Sequence, residues 1–216
     1  MVRARQNAVY GSYVTPSTNG GKKRVGLSRS YLMNTFFPLF NTFFTEIGCT
    51  VVLSEKADPE GLKRRRSSFC YPGELAHGFF GDLLERNVDY IFLPKIMSLQ
   101  VDKSVNTERE HQSTCVLLQS EAYYIKSAFK DKLGSTKLMT PVLDFWKGFL
   151  HAEPAFIKIA QELGVDKKTA IIAQKKAAEV QTNLKNYLKE MGKEVLEQLE
   201  DNPEQTAVVL FGRAYN

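Results

Sequence analysis

Short blocks of apolar residues alternate along the chain with longer stretches in which apolar positions recur at helical spacing, and this alternation begins near Lys23. Arg24-Val25-Gly26-Leu27 is β-like, and Ser28-Arg29-Ser30 leads from it into a helical pattern through Phe36, Phe37, Phe40, Phe43, Phe44 and Ile47. Pro38 interrupts that pattern, because a proline inside a helix removes a hydrogen bond and crowds the preceding turn. The main helix is therefore expected from Pro38, as a first-turn residue, to Ile47, with Gly48 as its stop. Thr50 to Ser54 reads as a buried strand. A second helix is expected from Pro72 to about Glu85, with Leu75, Phe79, Leu83 and Leu84 on its inner side, and it feeds a third strand at Tyr90 to Leu93. Strands and helices alternating at this spacing imply right-handed crossovers and a mostly parallel sheet with helices on both faces.

Beyond residue 93 the signal weakens. Cys115 to Leu118 and Pro141 to Phe145 are strand candidates, separated by a helical segment around Ala122 to Phe129. After residue 152 the pattern becomes two long helices, Pro154 to Leu163 and Lys168 onward. In the second, Ala170, Ala173, Ala177, Val180, Leu184, Tyr187 and Met191 form a seam that suits lengthwise packing against the domain's own sheet or a neighbouring helix rather than a coiled-coil dimer. Gly192 marks an expected break. Ala207 to Phe211 reads as a last strand running into a glycine turn, as if the chain were cut from something longer. The organisation expected is thus a tail or linker over 1–22, an α/β domain over 23–150, a helical segment over 151–204, and a strand and turn over 205–216 that begin a following unit.

With 216 residues, 43% of them hydrophobic, the chain can bury a substantial core, so disorder over its whole length is excluded. No stretch reaches the roughly 18 to 20 apolar residues that a membrane span requires, and no signal core follows Arg3 and Arg5, so a soluble, cytoplasmic protein without a membrane partner is expected. The net charge of +5 does not imply a nucleic-acid partner: residues 1–30 hold six cations and no acid, which leaves the remainder at −1. The one dense basic cluster left is Lys63-Arg64-Arg65-Arg66, a solvated loop or an anion contact.

Three cysteines do not make a disulfide framework in such a chain. Cys70 stands just before Pro72, at the amino end of the second helix, where unpaired amides favour a thiolate. Cys115 opens a β-like run and is expected to approach Cys70 at the carboxyl edge of the sheet. Cys49 reads as core. His77 reads as a structural histidine; His111 and His151 sit in polar contexts. There is no Cys-x-x-Cys, no His-Glu-x-x-His and no Walker-type loop, which removes common zinc sites and a P-loop ATPase. The turn from Gly26 to Ser30 resembles an anion cradle in outline, with Ser28 and Arg29 as candidate ligand-binding residues.

Several segments together carry a family resemblance: Gly26-Leu27-Ser28-Arg29; Phe43-Phe44-Thr45-Glu46-Ile47-Gly48 with Val51-Val52-Leu53-Ser54; Cys70-Tyr71-Pro72-Gly73-Glu74-Leu75-Ala76-His77-Gly78; Asp82-Leu83-Leu84; and Val88-Asp89-Tyr90-Ile91-Phe92-Leu93-Pro94. In order and spacing the chain resembles the activator-associated domain of the 2-hydroxyacyl-CoA dehydratase group. The resemblance implies a Rossmann-like, doubly wound α/β fold, and a module that is not a complete enzyme by itself. It implies an ATPase activator module or dehydratase subunits as partners. It also implies a [4Fe–4S] cluster in the complete protein, with Cys70 and Cys115 as candidate metal ligands and a role in electron transfer or docking. Lys95 stands where relatives can have a third cysteine, and a cubane needs four ligands. The alternative is a binding module for a phosphate-bearing ligand such as a CoA ester, with structural cysteines.

The register of the first helix is directly testable. Truncating Phe44 to alanine is expected to cost on the order of 3–5 kcal/mol in denaturant melts; a change below about 0.5 kcal/mol would mean that the side chain faces solvent.

Overall fold

The first strand, β1 (Arg24–Leu27), lies at the centre of a four-stranded parallel sheet between β2 (Thr50–Leu53) and β3 (Tyr90–Phe92), and β5 (Lys137–Met139) completes the order β2-β1-β3-β5. This computed structural model describes residues 2–13, 23–68, 70–102, 104, 108–209 and 212. The strands alternate with α2 (Met33–Glu46), α4 (Tyr71–Leu84) and α6 (Glu121–Phe129). Right-handed crossovers put α2 on one face of the sheet and α4 and α6 on the other, because the strand order reverses at β1. The doubly wound, mostly parallel α/β architecture expected from the sequence is therefore the one observed.

Two strands continue past the main sheet. After Pro94 the chain resumes as β4 (Lys95–Leu99), and after Pro141 as β6 (Val142–Phe145); these pair in parallel as a second, two-stranded sheet. Across the two prolines, Leu93 N–H donates to Met139 and Lys95 N–H to Pro141, so the pairing of β3 with β5 passes into that of β4 with β6. The candidate strand at Pro141 to Phe145 holds; β4 and β5 had no clear signal. The candidate strand at Cys115 to Leu118 does not form. Cys115 caps a single turn, α5 (Val116–Gln119), in which only Leu118 is buried and Val116 is 72% exposed. An apolar run of four cannot by its period be told from one helical turn.

The core between α2 and the sheet is aromatic. Phe40 and Phe44 pack on Phe92 with ring centroids 4.9 and 5.0 Å apart, and Phe43 packs on Phe156 of α7 (Glu153–Glu162) at 4.7 Å. Phe36, Phe40, Phe43, Phe44, Ile47 and Leu83 are buried as expected, while Leu84 is only half-buried. On α4 the inner side is not Leu75 and Phe79 but Ala76, Phe80 and Leu83. The cause is the short helix α3 (Pro59–Lys63), which packs on α4 through glycines: a Cβ on Gly61 would stand 2.6 Å from the His77 carbonyl, and one on Gly78 would stand 2.9 Å from Ala57. Small residues draw that face of α4 inward, a signal that apolar spacing does not carry.

Helix α2 starts at Met33 and runs through Pro38, contrary to the expected start at the proline. Two other helices mend the break. Pro38 has no N–H for the Asn34 carbonyl, which instead accepts from Arg5 Nη2 at 3.1 Å. The amide of Gln181 accepts from Leu39 N–H at 3.2 Å and donates to the Thr35 carbonyl at 2.9 Å, the two groups that an unbroken helix joins directly. Gln181 belongs to α8 (Lys167–Glu200), which lies along α2 and buries Ala170, Ala173, Gln174, Ala177, Ala178 and Gln181.

Arg5 belongs to α1 (Val2–Tyr10), so residues 2–13, expected as part of a tail, are structured. Val9 is 1% exposed, and Tyr13 OH accepts from Leu53 N–H. Residues 14–22 of the expected tail lie outside the described residues. Helix α8 continues through Gly192, since one interior glycine costs only about 1 kcal/mol and good helix formers flank it. Ala207, Val208 and Val209 are exposed and form no strand; Leu210 and Phe211 lie outside the described residues. Among the described residues no helix is long and apolar enough to cross a membrane.

Replacing Gln181 by leucine keeps the volume but strands two buried backbone groups, so urea melts should show a loss of roughly 2–4 kcal/mol. Arg5→Ala, at a half-buried position, should lose about 1 kcal/mol. Losses below about 0.5 kcal/mol for both would mean that α2 supports itself through the proline.

Candidate functional site

On the carboxyl side of the sheet, the β1–α2 loop, the amino end of α4, the connection that precedes it, and α6 enclose a cavity of about 230 Å³. Its wall includes Tyr31, Cys70, His77, Leu117 and Tyr124, and Arg64, Arg65 and Arg66 contribute cationic groups. Tyr31 has φ +42°, a left-handed conformation that costs a non-glycine residue on the order of 1–3 kcal/mol and persists only where the surroundings impose it. The turn sends the Tyr31 hydroxyl towards α4 and α6. There it accepts from Tyr124 OH at 2.8 Å and is in hydrogen-bond contact with the Cys70 side chain. Gly73 leaves the room: a Cβ at that position would stand 2.8 Å from the Tyr31 hydroxyl oxygen and 3.7 Å from Cys70 Sγ. Burial raises the pKa of both phenols, so both act as neutral hydrogen-bonding groups.

Cys70 is the N-cap of α4, as its position before Pro72 predicts, and it is half-buried. His77 sits two turns into the same helix. Its Nδ1–H donates to the Gly73 carbonyl at 2.7 Å and its ring stacks on Tyr124 at 5.3 Å, the structural arrangement read from the sequence. Burial lowers its pKa. Of the basic run, Lys63 pairs with Glu60 at 2.6 Å. Arg64 forks onto Asp131 at 2.6 and 2.9 Å and also donates to the Ala128 carbonyl. Arg65 meets Glu74 at 3.2 Å. Arg66 is exposed and has no partner among the described residues.

A second crevice lies where the strand order reverses, at the carboxyl ends of β1 and β3, the usual ligand position in such folds. Here it measures about 20 Å³, room for roughly one water molecule, because Leu118 and Glu121 fill it from above. Glu121 is buried, and desolvation pushes its pKa up to about 7 although the Ser30 hydroxyl donates to it at 2.5 Å. Ser28 lines this crevice, 1% exposed, and its Oγ has no partner among the described residues. Arg29 is turned away: its guanidinium lies 4.3 Å from the centre of the Tyr10 ring, and its backbone N–H donates to Ser54 Oγ. Neither Ser28 nor Arg29 lines the larger cavity.

Cys115 caps α5 and packs half-buried against the core; it does not line the cavity, although Leu117 in the next turn does. Cys49 is in the core, 8% exposed. Lys95 Nζ donates to Tyr123 OH at 3.2 Å. Among the described residues no group of three or more His, Cys, Asp or Glu side chains could hold a metal ion. The residues beside Cys70 are hydroxyls, an aromatic wall and arginines, which do not by themselves fit an iron–sulfur cubane.

Tyr31, Tyr124 and Glu121 escaped the sequence reading. The first is placed by a strained turn and the other two by the fold of residues 113–120, neither of which leaves a periodic mark.

A family model described as the CoA enzyme activase uncharacterised domain matches residues 24–216, and the chain belongs to that family. The search of curated proteins gave no match, and neither did the search of solved structures.

The pH dependence of stability tests the buried carboxyl. A folded pKa raised to about 7 means that the contribution of Glu121 is fully present below its unfolded value and is lost as the pH rises towards about 7. The wild type minus Glu121→Gln difference in urea melts should therefore fall with increasing pH, by at most about 3 kcal/mol between pH 4.5 and 7.5. A difference that stays constant over that range would place Glu121 in contact with solvent.

Proposed function

We propose that this domain of the CoA enzyme activase family binds a small phosphate-bearing ligand, a CoA ester being the class its family description suggests, in the cavity beside Cys70. The observation that carries the reading is the asymmetry of that cavity. Arg64, Arg65 and Arg66 offer cations, while Tyr124, His77 and Leu117 offer a flat, largely apolar surface. Asp131 and Glu74 hold Arg64 and Arg65 in place, so the cations are preorganised, and the Arg66 charge remains to be matched by an anion. A guanidinium fork suits phosphate, and the apolar wall suits an acyl or pantetheine-like chain. At about 230 Å³ the cavity holds one end of such a molecule.

An activase acts on another enzyme, so a protein partner belongs to this reading; an ATPase module or dehydratase subunits are the partners that the family resemblance suggests. Electron transfer through a cluster held by Cys70 and Cys115 has less support, since it would require ligands beyond those two thiols.

Cys70 reports on the cavity. Iodoacetamide should modify Cys70 faster than Cys49, and a saturating acyl-CoA should slow the reaction at Cys70 at least several-fold without changing that at Cys49. Arg66→Ala should abolish this protection while leaving the rate without ligand unchanged. Equal Cys70 rates with and without a millimolar acyl-CoA would sink the proposal.

A further inference from the structure

The long helix α8 has two halves of different character. Up to Gln181 its seam is buried on α2; from Thr182 to Glu200 no residue is buried, yet the apolar stripe goes on. Gln174, Ala177, Gln181, Leu184, Leu188, Met191 and Val195 keep alternating spacings of three and four, and Leu199 extends the line. Leu196 and Tyr187, beside the stripe, are 62% and 57% exposed. At the base of this free half, Val9, Phe36, Phe149, Leu184 and Leu188 form an apolar groove of about 310 Å³. Its rim is basic, with Arg5, Lys185 and Lys189; Asp102 offsets part of that charge.

The charges along the free half are segregated. Residues 182–189 hold Lys185 and Lys189 and no acid, whereas residues 194–201 hold Glu194, Glu197, Glu200 and Asp201 and no base. The far end therefore has the chemistry that the groove at the near end lacks: exposed leucines flanked by carboxylates, opposite an apolar floor with a cationic rim. Gly192 lies between the two ends, and the space where its Cβ would stand is open for 4 Å, so another helix can approach closely there.

We propose that the occupant of this surface is a second copy of the chain, its α8 antiparallel to the first and crossing it near Met191 and Gly192. This arrangement sets Leu184 against Leu199 and Leu188 against Val195, and it brings the Leu196–Leu199 end of each helix to the basic groove of the other. The interface is isologous: the same surface serves both copies, and the assembly closes as a two-fold dimer. A parallel pairing would crowd both domain bodies at one end and lay like charges side by side. The inference is independent of the ligand proposed for the Cys70 cavity.

Sedimentation equilibrium of the full chain tests it, from about 1 µM to about 200 µM, a range that brackets a micromolar Kd. The mass should rise towards twice the 24.5 kDa of one chain. The double variant Leu188→Glu/Val195→Glu should remain monomeric throughout with unchanged helical circular dichroism, since neither position is fully buried within one chain. In a Cys70→Ser/Cys115→Ser background, mixed Leu184→Cys and Leu199→Cys chains should form a disulfide-linked pair of unlike chains. A wild-type chain that stays monomeric at the highest concentration would overturn the proposal, as would a dimer that survives in the double variant or cross-linking confined to like pairs of Leu184→Cys.

Discussion

The amide of Gln181 at the Pro38 break is the contact on which the rest of the molecule depends. A proline five residues into α2 should stop that helix or kink it away from the sheet, and with it would go the aromatic layer of Phe40, Phe43 and Phe44. Gln181 supplies an acceptor and a donor where the ladder fails, and Arg5 takes the carbonyl that the proline leaves without a donor. Each bond is worth about 1 kcal/mol net, but a buried backbone group left unpaired costs more, so the break effectively fixes the register of α8 and the docking of α1 on α2. The alanines around Gln181 allow the two helices the close approach that the amide needs.

With α2 continuous through Pro38, its amino end and the loop before it are fixed over the carboxyl edge of the sheet. That is why Tyr31 can be held at φ +42° and why its hydroxyl reaches Tyr124 and Cys70. The strand-order reversal would ordinarily leave its opening beside β1 and β3, but Leu118 and Glu121 fill that space. The open volume moves outward to the helical face of α4 and α6, where the connection from α3 delivers three arginines. The site thus combines a neutral, buried lining of phenols with a cationic rim, and the two differ in kind: the lining is set by packing, the rim by ion pairs that exposure weakens.

The glycine contacts between α3 and α4 belong to the same arrangement. Gly61 and Gly78 bring α3 against α4, and this closeness carries Arg64 across to Asp131 and to the face of the Phe129 ring. The same packing buries Ala76, His77 and Phe80 and leaves Leu75 and Phe79 half-exposed. The basic run therefore meets the cavity through small residues with little chemistry of their own.

By itself the sequence determined the elements whose signal is local: the three early strands, the stop of α2 at Gly48, Cys70 at the head of α4, and the buried phenylalanines of α2. These follow from periodicity, caps and apolar runs, which depend on neighbours along the chain. The tertiary structure alone decided what depends on partners distant in sequence. Helix α2 passes Pro38 because a glutamine 143 residues later repairs it. Residues 2–13 fold because α2 and β2 give Val9 and Tyr13 places to pack, and Cys115 caps a helical turn because a run of four carries no period. Tyr31, Tyr124 and Glu121 join Cys70 at the carboxyl side of the sheet for the same reason: side-chain hydrogen bonds and desolvation act across space, and spacing along the chain does not record them.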